Sequence, residues 1–235
     1  MTVEALPAEV PRWRAGDSAA RRPLWDFVRD SGLQSVVVGL SKDPNAKVTL
    51  LLVSSDTGRP MLAAKVPTTD GAAVAVEAEM RALEQIRALV SDDLRETIPR
   101  VVDVVSFDGR PAAVASAVPG TPMTVSYMRR RHTRSTARVA ADLAAVGAWL
   151  TGFQRDTVRG RGPLNMDGDV AARLARRFPD DAELGADLER LAELHARLEC
   201  ETVPSTAVHG DLWFGNVLLR EGNVSGVVDW EAGAA

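Results

Sequence analysis

The sequence predicts an α+β protein in two lobes, a small antiparallel sheet carrying one helix followed by a mainly helical lobe. Three observations predict it. Short β-branched and apolar runs bounded by turn residues fill the first half, alanine- and leucine-rich helical segments fill the second, and Pro119-Gly120-Thr121-Pro122 interrupts the pattern between them. This places the first lobe at residues 1–118, with an N-terminal arm, and the second at 119–235. The chain has 235 residues, 46% of them apolar, enough for one substantial core or two lobes sharing a cleft.

Taken in order, residues 1–30 carry Trp13, Trp25 and Phe27 among charges and read as an arm with a short helix from Pro23 to Asp30. Three strands follow, Gln34–Leu40, Lys47–Val53 and Met61–Val66, separated by the turn signals Asp43-Pro44-Asn45 and Asp56-Thr57-Gly58. A helix spans Gly71–Val90, and the strands Val101–Phe107 and Ala112–Val118 flank Asp108-Gly109. Helices then cover Ser135–Asp156, Asp169–Arg177 and Asp181–Cys200, with Trp149 and Phe153 of the first read as core packing.

Lys65 lies in Met61-Leu62-Ala63-Ala64-Lys65-Val66, a strand too apolar to hold a cation without a partner. In the next helix the apolar stripe is Val76, Leu83, Ile86 and Val90, and the helical period puts Glu79 on that stripe. Glu77 faces the side of Arg81 and Glu84 and is the fallback partner for Lys65.

Composition excludes several classes. A net charge of −4 argues against a broad basic surface for nucleic acid. The single Cys200 cannot form an intramolecular disulfide, and no Cys/His cluster has zinc spacing, which fits a reducing cytoplasm. No apolar run is long enough to span a membrane. The run Arg129-Arg130-Arg131-His132 with Arg134 reads as a solvated face.

The chemistry concentrates near the end, in His209-Gly210-Asp211-Leu212-Trp213-Phe214-Gly215-Asn216-Val217-Leu218-Leu219 and Val227-Val228-Asp229-Trp230-Glu231. Two short strands around Arg220-Glu221-Gly222-Asn223 predict a hairpin turning at Gly222-Asn223, which would put Asn216 opposite Asp229. Asp211 precedes the hairpin. A carboxylate and an amide oxygen at one spot are hard ligands, suited to Mg²⁺ on substrate phosphates. Trp213 and Trp230 flank these groups and read as packing.

His-x-Asp-x₄-Asn followed by an Asp at the end of the next hairpin resembles the catalytic loop and metal-binding Asp of the protein-kinase-like superfamily. The form HGDLWFGNVLL…VVDWE resembles its aminoglycoside phosphotransferase and choline-kinase-like branch. That resemblance implies transfer of the γ-phosphate of ATP, with GTP open, to a hydroxyl of a small molecule. It implies Asp211 as catalytic base, Asn216 and Asp229 as Mg²⁺ ligands, Lys65 on the nucleotide phosphates with Glu79 positioning it, and the backbone at Ala115, Ser116 and Ala117 beside the adenine. His209 is implied to brace the loop. The first lobe would be the nucleotide-binding lobe.

The sequence departs from the superfamily in two places. Between the first strands, Gly39 to Lys47 contains one glycine in place of the glycine series; backbone N–H groups and Ser41, Lys42 or Lys47 could bind phosphate there, and the preferred reading is that these polar residues solvate a hairpin loop. Members of the family continue into further helices, whereas four residues follow Glu231, so the resemblance implies an incomplete second lobe: either the sequence is a truncated piece, or the lobe is finished by a partner or a copy of itself. The alternatives carried beside the enzyme are a catalytically impaired nucleotide-binding pseudokinase and an interaction module.

Overall fold

The computed structural model describes residues 21–40, 46–127, 135–163, 168–198 and 201–230. The expectations for the arm with Trp13, for Ser41 and Lys42, for the arginine run at 129–134, for Cys200 and for Glu231 onward lie outside the described residues.

A five-stranded antiparallel sheet forms from β1 (Leu33–Leu40), β2 (Lys47–Ser54), β3 (Pro60–Pro67), β4 (Val101–Phe107) and β5 (Arg110–Ser116), in the order β1-β2-β3-β5-β4. Strand alternation sorts its side chains onto two faces. Leu50 and Leu52 of β2 with Leu62, Ala64 and Val66 of β3 bury one face against Leu24, Phe27 and Val28 of α1 (Leu24–Ser31). The other face carries Thr49 directly opposite Lys65.

Helix α2 (Asp70–Leu89) starts where the Thr69 hydroxyl accepts the Ala72 N–H at 3.1 Å, a side-chain cap. Val76 and Met80 pack on Val104 and Ala113 of the sheet, while Leu83 and Ile86 join a cluster with Trp149, Phe153, Val227 and Trp230. Trp149 and Phe153 belong to α5 (Thr136–Asp156) and stack with centroids 5.2 Å apart, so they are core residues as read from sequence. This is the strands-first, helices-after α+β architecture that the protein-kinase-like resemblance implies.

Short elements depart from the sequence reading. Helices α3 (Asp92–Arg95) and α4 (Met123–Tyr127) are each about one turn, too short for an apolar period to register. The Pro-Gly segment, read as a break, contains strand β6 (Thr121–Pro122), paired with Leu219 and Leu218 of β9 (Val217–Arg220). Gly120 is required there: at φ 133°, a Cβ would lie 2.2 Å from the Ser225 hydroxyl.

The β9–β10 hairpin corrects the expected register. Strand β10 (Asn223–Val227) pairs Asn223 with Arg220, so the turn is Glu221-Gly222, with φ of 54° and 84°, the doubly left-handed form that suits a two-residue hairpin. A bulge between Val224 and Gly226 shifts the register again, and the Val228 N–H donates to the Asn216 carbonyl at 2.9 Å. Asn216 therefore faces Val228, one residue short of Asp229.

The chain divides into two units, one running to Thr157 and resuming at Ala207, the other Val158–Thr206. The second contains β7 (Gly160–Pro163) paired with β8 (Thr202–Ser205), and the helices α6 (Gly168–Arg177) and α7 (Ala182–Leu198) between them. Among its described residues none is buried. No helix among the described residues of the chain is long and apolar enough to cross a membrane.

Candidate active site

Lys65 projects from the β3 face opposite that of Leu62, Ala64 and Val66, and meets two carboxylates. Its Nζ lies 2.5 Å from Glu79 Oε1 and also donates to Asp229 Oδ1. Glu79 is 7% exposed on the inner stripe of α2. Glu77 instead pairs with Arg21 at 3.4 Å on the surface. Burial alone would depress the Lys65 ammonium; the charges of Glu79 and Asp229 reverse this and hold its pKa above the ordinary lysine value. Burial would likewise raise the Asp229 carboxyl, and Lys65 overrides it, so Asp229 titrates below the ordinary range. Lys65 and Asp229 are therefore both charged at neutral pH.

Asp229 follows β10 with φ 63°, a left-handed conformation that few non-glycine residues adopt. Strain of this kind, on the order of 1–3 kcal/mol, persists where surrounding contacts impose it, commonly at functional positions. The contacts here are the Lys65 ion pair and the next residue, Trp230, which is fully buried. Its ring lies 4.5 Å from that of His209 and 5.4 Å from that of Phe153. Trp230 is thus packing, as the sequence reading has it. Trp213, read the same way, is 50% exposed, and its ring covers Gly215.

The loop entering β9 is held by hydrogen bonds from uncharged partners, an imidazole and an amide. His209 is 6% exposed; its Nε2 donates to the Val228 carbonyl at 2.9 Å, and its Nδ1 accepts the Asp211 N–H at 3.2 Å. Those two roles define a neutral imidazole protonated at Nε2. Burial, partly offset by the Val228 carbonyl and the charges of Asp211 and Asp229, keeps its pKa below the ordinary value. Asn216, 5% exposed, donates Nδ2 to the Asp211 carbonyl at 2.9 Å and to its carboxylate Oδ2 at 3.1 Å. Asp211 itself is exposed. The structure thus brings Lys65, Glu79 and Asp229 into one cluster and Asp211, Asn216 and His209 into a second, joined where Val228 bonds both His209 and Asn216.

Ser116 and Ala117 stand apart in character. The Ser116 N–H donates to the Arg100 carbonyl at 2.8 Å and the Ala117 N–H to the Met61 carbonyl at 3.0 Å, so both amides are engaged in the sheet. A cavity of about 350 Å³ lies between α5 and residues Ala207–Leu212; it is lined by His209 but by none of Lys65, Glu79, Asp211 or Asp229. Its other walls include Trp149, Leu150 and Phe153, so it is an apolar space behind the loop, away from the converging charges. Among the described residues no group of three or more His, Cys, Asp or Glu could hold a metal ion, and a site here would rely on fewer protein ligands.

Lys47, weighed as a phosphate binder but read as solvating a hairpin loop, lies on this surface. It stands two residues before Thr49, hence on the Lys65 face of the sheet, and its charge acts on Asp229. The signal was the alternation that separates Leu50 from Thr49.

The chain is similar to a homoserine kinase from Gluconacetobacter diazotrophicus, 34% identical over 124 residues, which are 52% of this chain and 37% of that protein. It thus spans well under two thirds of that relative's length. A macrolide 2'-phosphotransferase from Brachybacterium faecium superposes over 88% of this chain and 71% of its own, with a TM-score of 0.44 and 18% identity. The phosphotransferase enzyme family matches residues 49–233, a stretch that contains Lys65, Glu79, His209, Asp211, Asn216 and Asp229, and the chain belongs to that family.

Proposed function

We infer that the chain transfers the γ-phosphate of a Mg²⁺-bound nucleoside triphosphate, ATP before GTP, to a hydroxyl of a small molecule. The observation that carries this reading is Lys65, held between Glu79 of α2 and Asp229 at the hairpin exit within a family of phosphotransferases. On this reading residues 1–118 form the nucleotide-binding lobe, 119–235 carry the catalytic loop, and the protein works in the cytoplasm.

Lys65 binds phosphate oxygens, and Glu79 keeps its ammonium charged and aimed. The exposed Asp211 carboxylate accepts the acceptor's proton as the hydroxyl oxygen bonds to the γ-phosphorus and the bond to the β-phosphate oxygen breaks, releasing the nucleoside diphosphate. Asn216 orients Asp211 through its two donated hydrogen bonds. The half-exposed Asp229 carboxylate and the Asn216 amide oxygen offer two hard ligands, and Mg²⁺ characteristically takes its others from water and phosphate, so the donor set fits that ion. When bound, Mg²⁺ neutralises phosphate charge. The Ser116 and Ala117 amides are engaged, so an adenine placed beside them would pair through other groups of that segment.

Calorimetric titration of Mg²⁺-ATP into the wild-type chain and Asp229→Ala tests the nucleotide site. Binding that is lost in Asp229→Ala supports it; a folded wild-type chain that binds no nucleotide rejects it. Turnover is then assayed with hydroxyl acceptors, beginning with homoserine because the similar kinase is named for it.

A further inference from the structure

The segment that would cover the nucleotide phosphates has one glycine where the superfamily pattern has a series, so backbone N–H groups alone are a poor account of how the phosphates are held. The sheet offers a replacement. Strand register puts Lys47 opposite Pro67 and Thr49 opposite Lys65, so Lys47, Thr49 and Lys65 all project from one face. Lys47 and Lys65 are diagonal neighbours, roughly 7–8 Å apart at the backbone in antiparallel geometry. Gly39 pairs with Thr49 and adds no side chain above it.

Nor is the start of β2 loose. The Ala46 carbonyl accepts both the Thr68 N–H at 3.0 Å and the Thr68 hydroxyl at 2.6 Å, which fixes the backbone where Lys47 leaves it. The Lys47 side chain is half-buried. After Lys65, it is the next cation whose charge stabilises the Asp229 carboxylate. Two lysines on one sheet face, each with a charge that acts on the Asp229 carboxylate, offer cations suited to a chain of phosphates.

On this geometry, and resting on the phosphotransferase reading above, we propose that Lys47 is a second phosphate-binding residue that works with Lys65 to hold the nucleotide polyphosphate. The two lysines do unlike jobs. Lys65 is locked by Glu79 and Asp229, whereas Lys47 enters from the strand that borders the covering loop and contacts the phosphates from the other side. The chemistry recognised is a nucleoside di- or triphosphate, and the nucleoside alone gains nothing from Lys47.

Calorimetry of Mg²⁺-ATP, Mg²⁺-ADP and adenosine with the wild-type chain, Lys47→Ala, Lys47→Gln and Lys47→Arg tests this. Loss of one charge-assisted phosphate contact should weaken ATP and ADP about tenfold in Lys47→Ala, leave adenosine unchanged, and be largely restored in Lys47→Arg. Unchanged adenosine binding also shows that the fold is intact; if Lys47→Ala does not fold, Lys47→Gln gives the same reading. ATP binding equal to wild type in Lys47→Ala, with Lys65→Ala impaired, overturns the assignment and leaves the proposed function standing. A wild-type chain that binds no nucleotide overturns both, and equal weakening of adenosine and ATP overturns the phosphate role by marking a structural one.

Discussion

Lys65 and Asp211 are both tied to the β9–β10 hairpin, Lys65 at its exit through Asp229 and Asp211 at its entry through Asn216, yet they are held by opposite means. Lys65 is mostly buried and fixed by two opposite charges. Asp211 is exposed and fixed by an amide and, through its own N–H, by a neutral imidazole. Charge partners suit a group that must exchange one anion for another, because arriving phosphates can replace Asp229 at the ammonium without leaving it unpaired. Neutral partners suit a base, because they fix its direction and leave its charge for the acceptor's proton. The comparison teaches that the nucleotide half of the proposed site is pre-assembled by electrostatics and the acceptor half by hydrogen-bond geometry.

Separate support implies separable defects, and the largest should come from Asp211→Asn. The substitution keeps the size of the side chain and removes the proton acceptor, so turnover should fall on the order of 10²–10⁴-fold. Nucleotide affinity should stay at the wild-type value, since Lys65, Glu79 and Asp229 are untouched. Steady-state kinetics beside calorimetry checks both, and a parallel loss of affinity would show that the two halves act as one.

Glu79→Gln probes the charged half and should act less strongly. It leaves Lys65 buried with one anionic partner in place of two, which costs about 1–3 kcal/mol between folding and nucleotide binding. The Michaelis constant for nucleotide should rise, with a smaller change in turnover. Glu77→Gln removes only the surface pair with Arg21, worth about 0–1 kcal/mol, and should leave the nucleotide constant alone. Equal effects of the two changes would detach Glu79 from Lys65.

Much of this site could be read from the chain, for physical reasons that also mark where reading stops. Lys65 stood out because a cation in an apolar strand needs a partner, and Glu79 because it interrupts an apolar stripe at helical spacing. Both signals are local and periodic. The hairpin register was misplaced because Gly222-Asn223 and Glu221-Gly222 both suit a tight turn, and a bulge between Val224 and Gly226 leaves no periodic mark in so short a strand. A two-residue strand has no period to read, and neither does the β7–β8 pair, whose four-residue strands meet across about forty residues. Lys47 was legible in alternation but was masked by its place beside a polar loop.

The smallest expected effect tests the neutral half, through pH. His209 holds the loop only while Nδ1 is an acceptor; a proton there would face the Asp211 N–H, donor against donor. Its pKa is therefore lower folded than the ordinary value of about 6.5 in the unfolded chain. The unfolded state then binds more protons below that value, so the contribution of His209 to stability is complete above about pH 6.5 and is lost as pH falls through its folded pKa. The slope from this one group is at most about 1.4 kcal/mol per pH unit. Asp211, Asp229 and Lys65 also act on the ring; Asp229 is held below the ordinary carboxylate range and Lys65 above the ordinary lysine value, which separates those two from the window just below 6.5. Urea unfolding from pH 7.5 downward should show wild-type stability declining through that window, and His209→Gln, which can still donate to Val228, should give a flatter profile. Parallel profiles would mean that His209 binds protons equally in the folded and unfolded chain, and wild-type stability that rises relative to His209→Gln as pH falls would mean that the folded ring already carries its proton. The entry of the hairpin would then be held by charge as its exit is, and the contrast between Lys65 and Asp211 would collapse.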